Sequence, residues 1–171
     1  MNVQLDFIFS VASKRQKAGE MGGDVLKRGY YGIGIFNGKN EANLGLLYRS
    51  AINFDADFIF TIGRRYRKHC ADTSKAWKHI PLYEYDTYED FLAHIPYDCK
   101  LVAIELDEKA KSLKNYYHPE RCIYLLGAED HGIPQSVLNK CQDIVVVDTH
   151  TCMNVAITGG IVMYDRQSKS R

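Results

Sequence analysis

Residues 125–138 read LLGAEDHGIPQSVL, and the reading of this stretch decides the fold. It follows Arg121–Tyr124, an apolar run that reads as the edge of a buried strand, and Gly127 ends that strand. Gly132 and Pro134 bracket a tight turn before a short helix that starts at Gln135. Ala128 to Ile133 therefore lie on a loop at the C-terminal end of a strand. In open α/β sheets that is where ligands bind. Taken alone, an acidic pair and a histidine between two glycines fit a surface turn as well. The rest of the chain separates the two readings.

Outward from this loop, apolar periodicity alternates between two and three to four residues. Strands are predicted at 30–36, 58–62, 81–85, 101–106, 122–126 and 144–147, with helices at 44–54, 87–94 and 153–165. Thr87 can cap the second helix, and Glu89 and Asp90 suit its first turn. Strands alternating with helices predict an α/β fold with a mostly parallel sheet wrapped by helices. Residues 1–28 break the rhythm and read as an N-terminal extension, followed by one domain over 29–171. Gly159-Gly160, in the middle of the closing helix, needs a reason, and close packing of a partner backbone, as in a dimer, is one.

The chain has 171 residues, enough for one domain with a real core and too few to expect two. Its 22 Lys and Arg against 21 Asp and Glu leave a net charge of +1, so nucleic-acid binding must rest on a local patch. Five cysteines without C-x-x-C spacing predict reduced thiols, no structural metal and a cytoplasmic protein. No signal peptide or membrane span is expected.

Two further stretches fall at strand ends. NEANLGLLYRSA, residues 40–51, runs into a helix whose N-terminus is suited to an anion. Asn43 alone reads as a helix cap and Arg49 as a solvated charge, yet both can share one helix face. TCMNVAITGGIVMYD, residues 151–165, opens the closing helix. Asn154 there reads as a cap and Cys152 as a buried, unreactive thiol.

Taken together, N-x-G-x-x-x-R at Asn43, Gly45 and Arg49, then LGAEDHGIP, then C-M-N-V-A resemble the SpoU (TrmH-type) RNA 2′-O-methyltransferases. The resemblance covers residues 29–165. It implies the α/β knot (SPOUT) fold, with a C-terminal trefoil knot, S-adenosylmethionine as cofactor with S-adenosylhomocysteine as product, and a homodimer whose sites draw on both chains. It assigns Arg49, Asn43, Glu129 and Asn154 to catalysis. Gly127, Ile133, Val147, Cys152, Met153 and Glu105 would contact the cofactor, and Asp130 and His131 fall at variable, solvated positions. Cys152 and Ala156 stand where many members have serine, Asp148 where proline is usual, and Glu41 where proline is frequent. A catalytically silent, knot-fold RNA- or partner-binding protein is the alternative those departures leave.

For the RNA, GRRYRKHC at residues 63–70 offers Arg64, Arg65, Arg67 and Lys68 for phosphates and Tyr66 for base stacking. The acidic stretch of Glu84, Asp86, Glu89 and Asp90 is expected to face away from RNA. Small members of the family mostly act on tRNA, so tRNA is the first expectation.

Overall fold

The computed structural model describes residues 29–66 and 79–169; the N-terminal extension, Arg67 and Lys68 lie outside the described residues. The chain runs through β1 (Tyr30–Phe36), α1 (Glu41–Asn53), β2 (Phe58–Ile62), β3 (Leu82–Tyr85), α2 (Tyr88–Ala93) and β4 (Lys100–Ile104). Then come β5 (Lys111–Ser112), a 3-10 turn at Leu113–Asn115, β6 (Arg121–Leu126), α3 (Gln135–Leu138), β7 (Asp143–Val146) and α4 (Val155–Lys169). The seven strands form one sheet in the order β3-β2-β1-β6-β4-β7-β5, and every pairing is parallel. This is the mostly parallel α/β sheet the alternation predicted. The two-residue β5 was not legible: Lys111 and Ser112 carry no strand signal and are strand only because they pair with β7.

A parallel sheet buries both faces, so its inner strands read as unbroken apolar runs. All five residues of β2, FIFTI, are buried. In β6 the alternation divides two cores. Tyr124 and Leu126 join Leu47, Val155 and Met163 under α1 and α4, whereas Ile123 and Leu125 join Phe60 and Phe91 under α2 and α3. Phe60 and Phe91 stack with ring centroids 4.8 Å apart. Gly159 has its reason within the chain. A Cβ there would lie 2.4 Å from Cδ1 of Leu47 and 3.0 Å from Cδ1 of Leu126, so these buried side chains would have to shift to keep α4 against α1 and the sheet. Among the described residues no helix is long and apolar enough to cross a membrane.

At the N-terminal ends of the strands, α4 closes a buried polar cluster. Arg166, 5% exposed, donates to the carbonyls of Pro119 (2.7 Å) and Glu120 (2.8 Å) and to the Tyr124 hydroxyl (3.2 Å). Its guanidinium lies 4.7 Å from the Tyr31 ring centroid. His118 bonds the Tyr124 hydroxyl through Nδ1 and Asp165 through Nε2 (2.8 Å), and Lys169 also pairs with Asp165. Burial lowers the His118 pKa, against the opposing pull of Asp165. Neutral His118 with its proton on Nε2 suits both contacts: Tyr124 then donates to Nδ1, and Nε2–H donates to Asp165.

Candidate functional site

The opposite ends of the strands are open. β1 and β6 are neighbours although their first residues, Tyr30 and Arg121, are 91 positions apart, and the chain order reverses between them. Such a switch point splays the loops apart and leaves a crevice. The loop that follows β6 turns within five residues: Ala128 and Gly132 form an isolated antiparallel bridge, and Gly132 takes φ +59°. That conformation suits glycine. Gly127 answers to crowding. A Cβ there would lie 2.6 Å from the Glu105 carboxylate and 2.7 Å from the Gly132 backbone. Glu105 accepts the amides of its neighbour Leu106 and of Ile133, each at 2.9 Å, tying the loop after β4 to the loop after β6.

The three stretches singled out by sequence converge on one hydrogen-bonded relay. Asn154 Nδ2 donates to Asn43 Oδ1 (2.9 Å), and Asn43 Nδ2 donates to Glu129 Oε1. Asn154 also caps α4, its Oδ1 accepting the amides of Ala156 (2.9 Å) and Ile157 (3.3 Å). Asn43 does not cap α1. Asn40 does, accepting from the Ala42 amide, so Asn43 falls inside the first turn, buried, with its amide turned to Glu129. Arg49 does not share that face. Six residues along a helix turn it about 120° away from Asn43, and it is exposed. Asn154, Asn43 and Glu129 bond one another instead.

Beside the relay lies a cavity of about 830 Å³, within the range of small-molecule sites. Its walls are the segments after β4, β6 and β7, and Gly127, Ile133, Val147, Cys152, Met153 and Glu105 all line it. Cys152 is thus exposed on the cavity wall, not buried as its residue type suggested. Ala156 lies in the core, so a serine there would add its hydroxyl to a buried position. Glu105, Asp107, Glu129, Asp130 and Asp148 contribute carboxylates to the lining, which contains no lysine or arginine. Such a wall favours a cationic ligand. Among the described residues no group of three His, Cys, Asp or Glu side chains is placed to hold a metal ion.

In the described part of the basic stretch after β2, Arg64 and Arg65 are both ion-paired. Arg64 pairs with Glu84, so this acidic residue faces the basic stretch instead of turning away from it. Arg65 makes a two-pronged contact with Asp130, Nη1 to Oδ2 at 2.9 Å and Nη2 to Oδ1 at 2.6 Å. Asp130 is exposed, as expected, but it is ion-paired: the Arg65 guanidinium holds its carboxyl well below the usual range. Tyr66 is half-buried against the α1 core, its hydroxyl without a hydrogen-bond partner among the described residues and its pKa pushed up to about 12 by burial. The Arg65–Asp130 pair escaped the sequence reading because nothing local links charges 65 residues apart.

Residues 33–164 match the model of the SpoU rRNA Methylase family. Among curated proteins none matches the chain. Among solved structures, an AdoMet-bound rRNA methyltransferase from Sinorhizobium meliloti superposes with a TM-score of 0.72 at 19% identity, over 83% of this chain and 57% of that one. The chain thus spans little more than half the length of that protein. A structure bearing on 2-OH methylation of C/U34 on tRNA superposes with a TM-score of 0.69 at 19% identity, over 83% of this chain and 97% of the other. The TrmH/SpoU tRNA modifying enzyme of A. aeolicus gives 0.70 at 16% identity, over 81% and 74%. At these identities the superpositions establish likeness of fold.

Proposed function

The chain belongs to the SpoU rRNA methylase family, and we propose that it transfers a methyl group from S-adenosylmethionine to a ribose 2′-hydroxyl of RNA. The observation that carries the reading is the relay Asn154–Asn43–Glu129 beside an acid-lined cavity. The residues present fit the cofactor. The cavity has the volume for an adenosine and a methionine, its carboxylates favour a sulfonium, and its glycines at 127 and 132 let backbone approach closely. When bound, S-adenosylmethionine supplies an electrophilic methyl group.

The chain's own residues then position and polarise. Glu105 fixes the two loops that wall the cavity, and Glu129 is held by Asn43 so that its second oxygen remains available to the acceptor. Rigid placement of this kind is worth up to about 7–11 kcal/mol in the best cases. Arg49 acts as a charge stabiliser. A guanidinium has no lone pair to spare and is a poor base, while a two-pronged donor suits a phosphate or a developing oxyanion.

A second copy of the chain belongs to this reading. Leu46, Ile157 and Tyr164 are each at least half exposed on the outer faces of α1 and α4, on the side where Arg49 also lies. Covering that face would bury the apolar side chains and bring Arg49 into a shared site. The glycine pair no longer supports the dimer, since Gly159 serves packing within the chain. The trefoil crossing is part of the same proposal: residues 148–153 and the loop after β6 wall one cavity, as the two limbs of such a crossing would. We take tRNA as the substrate, supported by the match in length to the structure concerned with C/U34 of tRNA.

The test is transfer of labelled methyl from S-adenosylmethionine to unmodified tRNA and rRNA, followed by alkaline hydrolysis. Label in alkali-resistant dinucleotides is the expected result. Label on a base would contradict the ribose target, and the absence of transfer to both RNAs would favour the silent alternative.

A further inference from the structure

We infer that Arg65 is a positioning residue of the catalytic loop and not a phosphate contact. The loop after β6 is held from three sides. Glu105 takes the Ile133 amide, Asn43 takes Glu129, and Arg65 takes Asp130 with both prongs of its guanidinium. Arg65 is itself anchored twice more: its Nε donates to the Asn37 carbonyl at 2.9 Å, and its backbone amide to the Gly38 carbonyl at 2.8 Å. The side chain therefore spans the loops after β1, β2 and β6. Asp130 is the covalent neighbour of Glu129, so a strap on Asp130 fixes the backbone from which Glu129 reaches Asn43. An arginine spent on three protein acceptors has little left for a phosphate, since its five N–H donors are already largely committed. Lysine cannot replace it, because a point charge lacks the planar fork.

The strap deepens the function proposed above, and one arm of its test is independent of that function. Amide hydrogen exchange is followed on the full chain for Arg65→Ala, Arg65→Lys, Asp130→Asn and the Arg65→Ala/Asp130→Asn double variant. Peptides covering residues 127–133 should exchange roughly fivefold faster in Arg65→Ala and in Asp130→Asn, the scale of one good two-pronged ion pair. The double variant should exchange no faster than either single variant, and lysine should restore only part of the protection. Unchanged exchange, additive effects or full rescue by lysine would overturn the strap. The second arm measures binding of a mixed-sequence RNA. A strap predicts that Asp130→Asn leaves affinity within about twofold. A clear rise would mean that freeing Arg65 releases a phosphate hook, and the inference would fail. If the wild-type chain transfers no methyl group, the proposed function fails while the exchange result still decides the strap.

Discussion

The two ends of the sheet are built from similar materials and put to opposite uses. At the N-terminal ends of the strands, Arg166, His118, Asp165 and Tyr124 satisfy one another and nearby carbonyls, and Arg166 is buried. At the C-terminal ends, five carboxylates face a cavity, and Arg49 stands exposed on the adjoining helix. Buried polar groups that are fully paired specify a fold. Carboxylates that line a cavity give it a field suited to a ligand, even where, like Asp130 and Glu105, they are already held by protein donors. One end is expected to set stability, the other chemistry, and α4 joins them, with Asn154 at its start and Arg166 and Lys169 in its last turn.

The largest effect on stability should come from Arg166→Leu. Removing the guanidinium takes the donor from the Pro119 carbonyl and from the buried Tyr124 hydroxyl, at about 1–3 kcal/mol each, while the Glu120 carbonyl keeps the Tyr30 amide. Denaturant unfolding should show a loss of about 3 kcal/mol or more, and a loss below about 1 kcal/mol would erase the contrast between the ends. Arg49→Ala should do the reverse. Methyl transfer should fall about a hundredfold while the melting temperature and cofactor affinity stay near wild type. Arg49→Lys should recover little of the rate; near-full activity would mean that a point charge suffices.

Asn154→Asp sharpens the comparison within one residue. The carboxylate keeps the acceptor that caps α4 but loses the donor to Asn43. Unfolding should change by less than about 1 kcal/mol, the scale of a cap, while transfer should drop by about tenfold, one hydrogen bond's worth. Equal losses in Asn154→Asp and Asn154→Ala stability would show that the cap is not what aspartate preserves.

The smallest effect concerns pH. His118 is held neutral in the fold, its pKa below the ordinary value because of burial. The unfolded chain binds a proton there near pH 6.5, the folded chain only at lower pH, so acidification favours unfolding. Stability should decline as pH falls below about 6.5, and His118→Gln should flatten part of that decline in melts between pH 7 and 5. An identical slope in the variant would remove His118 from the account.

How far the sequence speaks differs between the ends. Short aliphatic and aromatic runs, ended by glycine after Ile62 and Leu126 and by aspartate after Tyr85, Leu106 and Val147, gave away the strands, and the motif residues at their C-terminal ends announced the cavity. Partnership was hidden. Asn43 reads as the cap until the fold shows Asn40 in that place and Glu129, 86 residues away, claiming Asn43. Gly159 is explained by the Leu47, Leu126 and Ile33 side chains, the first from a helix more than a hundred residues earlier. The Arg166 cluster gave no signal at all, because an arginine near the end of an amphipathic helix usually reads as solvated. Arg65 misled for the same reason: a cation in a basic run resembles its neighbours until its acceptors are in place.

The central claim is that the cavity at the C-terminal ends of the strands holds S-adenosylmethionine, and calorimetric titration tests it most directly. Wild-type protein should bind S-adenosylmethionine with saturable heat, and Gly127→Val should not, because a side chain there collides with Glu105 and the Gly132 backbone. The variant should keep its fold by circular dichroism, since Gly127 lies beyond the end of β6. Absence of binding to the wild-type chain at millimolar cofactor, or undiminished binding to Gly127→Val, would contradict the account.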